Sequence, residues 1–365
     1  MSEKKVQISP IQLFFLIATT VLTTVDIFVP AFVAQEAKND SWISALLSGA
    51  VSFLFVWVQL KLYSRYKGST LIEICKKAAG KLFGTIIGLL YTVYFVLISV
   101  YVSAEMGQSL KTAFMPLTPT WVFVVVPILI SAYAVGRDIE VIARINEIIF
   151  PFGIAALLLL YLTNMGELDL KFFLPVLKDG FIPPLRGGLV ILGWAGEVIV
   201  IMQLLPHINK QEKINKFVFY GNLVVALGIF SGTMVYALFG PLTEMFLIPS
   251  LEFARFASLG KYFCNFDLII MAIWVTGIYI KLITFYFVAS FSLAQLCNVN
   301  NYKTLVLPVG LLIGSLAISS EVKIVEVFHF LHYIFPLYSI TMTFVIPLIL
   351  LVLSFFRKKG VSNSE

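Results

Sequence analysis

Long apolar runs separated by short polar stretches make up most of this 365-residue chain. Ten runs, at about 10–35, 41–63, 82–113, 119–136, 142–163, 187–206, 217–240, 263–290, 302–320 and 334–356, stand out. Each comes near the ~20 residues that a helix needs to cross ~30 Å of hydrocarbon. The alternation of a barrel strand is missing from them, and lipid tolerates no unpaired backbone, so every run predicts a helix. The expected fold class is therefore an all-α integral membrane protein with ten transmembrane helices. Two polar segments predict structure of their own. Residues 69–81, STLIEICKKAAGK, hold Thr70 and Glu73 at capping-box spacing and predict a short basic helix on the cytoplasmic face, anchored to anionic lipid. Residues 164–186 contain Pro175, Pro183 and Pro184 and predict an irregular cap over the outer mouth.

Composition agrees with lipid as the solvent. Hydrophobic residues are 59% of the chain and charged residues 13%, against roughly a quarter charged in soluble domains. A soluble globule, a disordered chain, a secreted disulfide scaffold and a nucleic-acid binder are excluded together. Cys75, Cys264 and Cys297 are far apart and form no CxxC pair, which argues against a disulfide framework or a zinc site. Met1–Lys5 followed by an apolar run resembles a signal peptide, but the run is too long for one and reads as a retained first helix.

The basic residues set the orientation. With the N-terminus in the cytoplasm, 17 Lys and Arg fall on the inner side, six of them between spans 2 and 3, and 8 on the outer side, with Lys281 inside a span. That bias places both termini inside.

Soluble-enzyme signatures such as a phosphate-binding glycine loop, HExxH or GxSxG are missing. Glu326, His329 and His332 imitate a metal site, but VEVFHFLHYIF reads better as an interfacial amphipathic helix, and neither metal nor cofactor is expected. The pairs Gly84/Gly88, Gly228/Gly232 and Gly310/Gly314 predict close helix packing. More telling are the ionisable residues at membrane depth: Asp26 in span 1, Glu105 in span 3, Glu197 in span 6 and Lys281 in span 8. Each costs about 2.5–3.5 kcal/mol at the bilayer centre unless paired or hydrated. Glu197 and Lys281 suit either a buried structural ion pair or a functional site, whereas Glu105, nearer the outer surface, suits a structural role. Breaks are expected beside these charges. Thr23, Thr24, Val25 and Asp26 precede Pro30, and Gly193 and Gly196 flank Trp194 just before Glu197. Spans 1 and 6 each open a set of five, and an odd number inverts the second set. Discontinuous helices at matched positions of inverted halves point to a transporter-type binding site, with exposed amides and carbonyls holding the ligand's polar ends.

Several stretches in order, ISPIQLFFL (8–16), DSWISALLSG (40–49), STLIEICKKAAGKLFGTIIGLLYTVYF (69–95), RDIEVIARINEIIFP (137–151), DLKFFLPVLKDG (169–180) and GEVIVIMQLLP (196–206), resemble the spore-germination permease family. These are the B subunits of nutrient germinant receptors, within the amino acid–polyamine–organocation superfamily. The resemblance implies a LeuT-like five-plus-five inverted repeat, with residues 1–163 as the first half, 164–356 as an outer loop plus the second half, and 357–365 as a cytoplasmic tail. It implies residence in the spore inner membrane, A and C subunit partners, and a small nutrient, an amino acid foremost, bound near the midplane. The ligand-binding positions it implies are Thr23, Thr24, Val25 and Asp26 in span 1, Tyr94 and Ile98 in span 3, Trp194, Gly196 and Glu197 in span 6, and Lys281 in span 8. Many relatives carry a small glycine-containing tripeptide where this chain has Thr23-Thr24-Val25. The function expected is thus nutrient sensing, not catalysis. Its rivals are a proton-coupled amino-acid transporter on the same fold and, more distantly, a membrane enzyme using His329 and His332.

Overall fold

The computed structural model describes residues 7–257, 267–321 and 328–356. The signal-like start Met1–Lys5, Cys264, Glu326 and the tail 357–365 lie outside the described residues. So do Lys261 and Lys323.

Among the described residues seven stretches are long and apolar enough to cross a membrane, and two shorter apolar helices accompany them. The first stretch holds two helices, α1 (Pro10–Ala37) and α2 (Ser41–Arg65), parted by a 3-10 turn at Lys38–Asp40. Counting them separately gives ten spans, as the apolar runs predict. The others are α4 (Lys81–Ala113), α5 (Thr120–Val135), α6 (Ile139–Asn164), α7 (Ile182–Ala195), α8 (Ile214–Gly232), α11 (Asp267–Cys297), α12 (Lys303–Glu321) and a final span over Phe330–Phe356. Shorter helices α3 (Leu71–Ala79), α9 (Met234–Phe239) and α10 (Pro249–Phe256) lie between spans. Large apolar side chains such as Trp57, Leu129, Phe152 and Leu311 remain exposed around the bundle, the surface that lipid would cover.

Span 1 corrects an expectation. α1 begins with a complete capping box between Ser9 and Gln12 and then runs α-helical through Thr23–Asp26 without a break. Pro30 removes the donor that would bond the Asp26 carbonyl four residues back. The Ser250 hydroxyl of α10 donates to that carbonyl instead. The Thr20 hydroxyl turns back onto the Leu16 carbonyl at 2.7 Å and that of Thr23 onto the Thr19 carbonyl at 2.8 Å. Side chains thus satisfy the local polar groups, and the helix has no reason to open. No amides at 23–26 are freed to cradle a ligand.

Span 6 does change form. Pro183 and Pro184 lie not in the loop but in the first turn of α7, where a missing N–H costs nothing. The α-helix ends at Ala195 and continues as a 3-10 helix over Gly196–Gln203. The final span carries π-helical turns at Phe330–Ile334 and Thr341–Val345, just ahead of Pro336 and Pro347. These prolines interrupt the regular ladder there.

α3 forms with the expected capping box, the Thr70 hydroxyl accepting from the Glu73 amide at 3.3 Å. Its lipid-anchor reading is corrected, because Leu71, Ile72, Ile74, Cys75 and Ala78 are buried inside the protein. Gly84 explains this: a Cβ there would collide with the Cys75 carbonyl and Lys76 Cα, so only glycine lets α3 lie down on α4. The other glycine pairs also serve packing. Gly228 and Gly232 face Leu22 and Asp26 of α1, while Gly310 and Gly314 face Tyr286 and Ile128.

Candidate functional site

Three spans meet at one buried cluster. Lys281 of α11 donates to the Glu197 carboxylate of span 6 at 2.5 Å and to the Thr24 hydroxyl of α1 at 2.5 Å. Glu197 and Lys281 are each 1% exposed, so the pair is shut off from solvent. A charge here is tolerable only with a partner and further hydrogen bonds, and Thr24 supplies one of them. The Lys281 ammonium also stands 5.9 Å above the Phe285 ring.

The junction in span 6 is held by the final span. A change from i→i+4 to i→i+3 bonding disturbs the carbonyl pairing where the two helical forms meet. The Gly193 carbonyl there accepts from the Ser339 hydroxyl at 2.5 Å. Since that proton is used, the Tyr94 hydroxyl donates to Ser339 across 3.0 Å. Gly193 lies against Pro336, and a Cβ on Gly196 would collide with Thr343. Trp194 packs edge-on against Phe335, ring centroids 4.9 Å apart, and faces Phe32 of α1 at 6.4 Å.

Of the residues that the sequence singles out, the structure joins Thr24, Glu197 and Lys281 directly. Tyr94, Trp194 and Gly196 surround the same junction through their contacts with the final span. Ile98, one turn beyond Tyr94 on α4, is buried at 2% exposure. The rest of the span 1 tetrad is directed elsewhere. Thr23 packs against Gly277 of α11, and Val25 and Asp26 line a separate cavity beside α8. Glu105 is buried and makes no hydrogen bond or ion pair among the described residues. Sequence reasoning passed over Ser339 and Thr343. Their signal is weak, two small hydroxyls four residues apart in an apolar span. It also passed over Gln59 and Tyr91, which donate to the carbonyls of Thr343 and Met342 at 3.0 and 2.8 Å, the π-helical turn. The two histidines part company: His332 is buried with its Nε2 3.2 Å from Glu36 of α1, while His329 is exposed.

The ends of this core are also tied. Ile8 pairs with the end of span 6, its amide donating to the His207 carbonyl at 3.0 Å and its carbonyl accepting from the Asn209 amide at 3.0 Å. At the other end His332 stacks on Phe32 with ring centroids 4.6 Å apart. Asp40 accepts from the Leu177 amide at 2.9 Å, closing the loop before α7 over the bundle.

Solved structures share this architecture. The crystal structure of MhsT in complex with L-phenylalanine superposes with a TM-score of 0.67 at 14% identity, covering 97% of this chain and 99% of that one. Mhp1, a nucleobase-cation-symport-1 family transporter with bromovinylhydantoin bound, superposes with a TM-score of 0.63 at 14% identity, covering 95% and 78%. The fold is therefore the LeuT-type bundle of ten helices. Sequence relatives are more specific. Spore germination protein YndE of Bacillus subtilis (strain 168) is 26% identical over 358 residues, 95% of this chain and 94% of that protein. Spore germination protein KB of the same organism is 25% identical over 371 residues, 99% and 98%. The family model described as "Spore germination protein" matches residues 7–323. The chain is a membrane protein that belongs to this spore germination permease family.

Proposed function

We propose that this protein is the ligand-binding membrane subunit of a spore nutrient germinant receptor, with the Glu197–Lys281–Thr24 cluster as its sensing site. The observation that carries the reading is that one buried ion pair, with one added hydroxyl, ties spans 1, 6 and 8 together where span 6 leaves the α form. Such a pair is a closed circuit whose desolvation cost is only just offset by mutual attraction. A zwitterion replaces both halves at once, its carboxylate against Lys281 and its ammonium against Glu197. An amino acid therefore fits the site chemically. A ligand with one charge would leave the other side chain buried and alone. Binding that favours an opened arrangement shifts the bundle toward it. A and C subunits would receive that shift. The reading further places the protein in the spore inner membrane with both termini cytoplasmic. Residues 1–163 and 164–356 then act as inverted halves that move against one another.

The test is dipicolinate release from spores lacking the gene, challenged with amino acids, sugars and nucleosides. We expect loss of response to one class, restored by the intact gene but not by Glu197→Gln or Lys281→Met proteins present at normal levels. Full restoration by both variants would overturn the sensing site. An undiminished response of the deletion strain, with pH-gradient-dependent amino-acid uptake by vesicles holding the purified protein, would move the reading to transport.

A further inference from the structure

Asp26, like Glu105, is an intramembrane ionisable residue outside the central cluster, and it borders a cavity of its own. Its carboxylate makes no hydrogen bond or ion pair among the described residues, and Oδ1 is fully shielded from solvent without a partner. The residue as a whole is half-buried, but a carboxylate oxygen shut off from solvent without a partner is expensive to hold. Asp26 borders a small cavity of about 20 Å³ between α1, α7, α8 and the 3-10 segment Gly240–Met245. The absence of a side chain at Gly232 leaves room for it, since a Cβ there would lie 3.1 Å from Oδ1.

The rest of the polar lining is Ser41, Thr233, Tyr236 and Thr243. The Ser41 hydroxyl donates to the Lys38 carbonyl and the Thr233 hydroxyl to the Phe230 carbonyl at 2.7 Å. Their protons are spent, so what both oxygens still offer is a lone pair. Thr243 is 1% exposed, and its Oγ1 is a second buried oxygen with no partner. No Lys, Arg or His lines this cavity. The acidic Asp40 and Glu244 stand close enough to Tyr236 to act on it electrostatically, with Lys38 near Glu244. One carboxylate, several neutral oxygens and no resident cation form a donor set suited to a hard cation of single charge.

We propose that this cavity is a monovalent alkali-cation site, with Asp26 as its anionic ligand and Thr243 as a neutral one. It is separate from the Glu197–Lys281 cluster, because Thr24 and Asp26 lie on opposed faces of α1. Bound cation would neutralise Asp26 and join α1 to α8 and the Gly240–Met245 segment.

The experiment is thermal unfolding of the purified full-length protein in detergent, without nutrient. NaCl and KCl are compared with choline chloride at equal ionic strength and pH. We expect the midpoint to rise by several degrees and saturate with Na⁺ or K⁺ but not with choline. We expect the rise to vanish in Asp26→Asn and to weaken in Thr243→Val. Should Asp26→Asn fail to fold, Thr243→Val carries the comparison alone. Equal midpoints in alkali and choline salts would overturn the proposal. So would an alkali effect unchanged in the variants, or stabilisation by acid alone that Asp26→Asn abolishes, which would make Asp26 a proton site. Because no nutrient is present, the result stands apart from that of the germination assay.

Discussion

Deleting one partner of the Glu197–Lys281 pair leaves the other charge buried at 1% exposure without its hydrogen-bonded counter-ion. Breaking a buried pair in this way costs about 3–5 kcal/mol, whereas replacing both partners by apolar side chains costs far less. Glu197→Gln and Lys281→Met should each lower the unfolding midpoint of the purified protein, and Glu197→Leu with Lys281→Met together should regain most of the loss. A double variant no more stable than the sum of the singles would show that the two groups do not couple. Both residues were visible in the sequence, because an ionisable group at membrane depth is expensive enough to need a reason. Helical periodicity also sets Thr24 and Asp26 about 200° apart around α1. What periodicity leaves open is which face meets Glu197, since that depends on how α1 is rotated against span 6. Of residues 23–26, a single member, Thr24, reaches the pair, and the break expected there is not present.

At the scale of single elements, local rules were legible and packing partners were not. The α3 capping box needs only Thr70 and Glu73, three residues apart, and it forms. Where the apolar face of α3 goes depends on Gly84 of the next helix, so an amphipathic pattern that suits lipid is buried in protein instead. Burial pushes the Cys75 thiol well above the ordinary cysteine range, while Cys297 at the end of α11 is exposed. In a Cys264→Ser background, a water-soluble maleimide at pH 7.5 should modify Cys297 and leave Cys75 untouched until the protein is denatured, as read by mass spectrometry. Prompt labelling of Cys75 would mean that α3 lifts off α4. The matched-break expectation failed for a related reason. Pro30 demands a substitute donor for one carbonyl, and Ser250, more than two hundred positions away, provides it. Nothing near Pro30 in the sequence announces that donor. Span 6 does leave the α form, with Ser339 satisfying its Gly193 carbonyl, and that departure was legible in the run of Gly193, Trp194 and Gly196.

Across the whole molecule, ten apolar runs were enough to count the spans, because lipid thickness imposes a length on each. The contacts that join distant spans were beyond that reading, above all the pairing of α1 with the final span through Glu36 and His332. If receptor opening parts these two spans, then joining them should prevent it. In decoated spores, Glu36→Cys with His332→Cys should respond to nutrient until a short bifunctional thiol crosslinker is added, and not afterwards. A crosslinked protein that still signals would place the opening motion elsewhere. The unbroken course of α1 has a mechanical side as well. A helix hinged at its middle lets its two halves swing independently, whereas 28 residues of continuous helix form one rod about 42 Å long. Thr24 sits at its midpoint, where Lys281 holds it. A tilt of about 10° there carries each tip roughly 3–4 Å in opposite directions. If α1 pivots as one rod, moving its Glu36 end away from His332 would shift the Ile8 end against His207 and Asn209, so a displacement on one side of the membrane would reach the other.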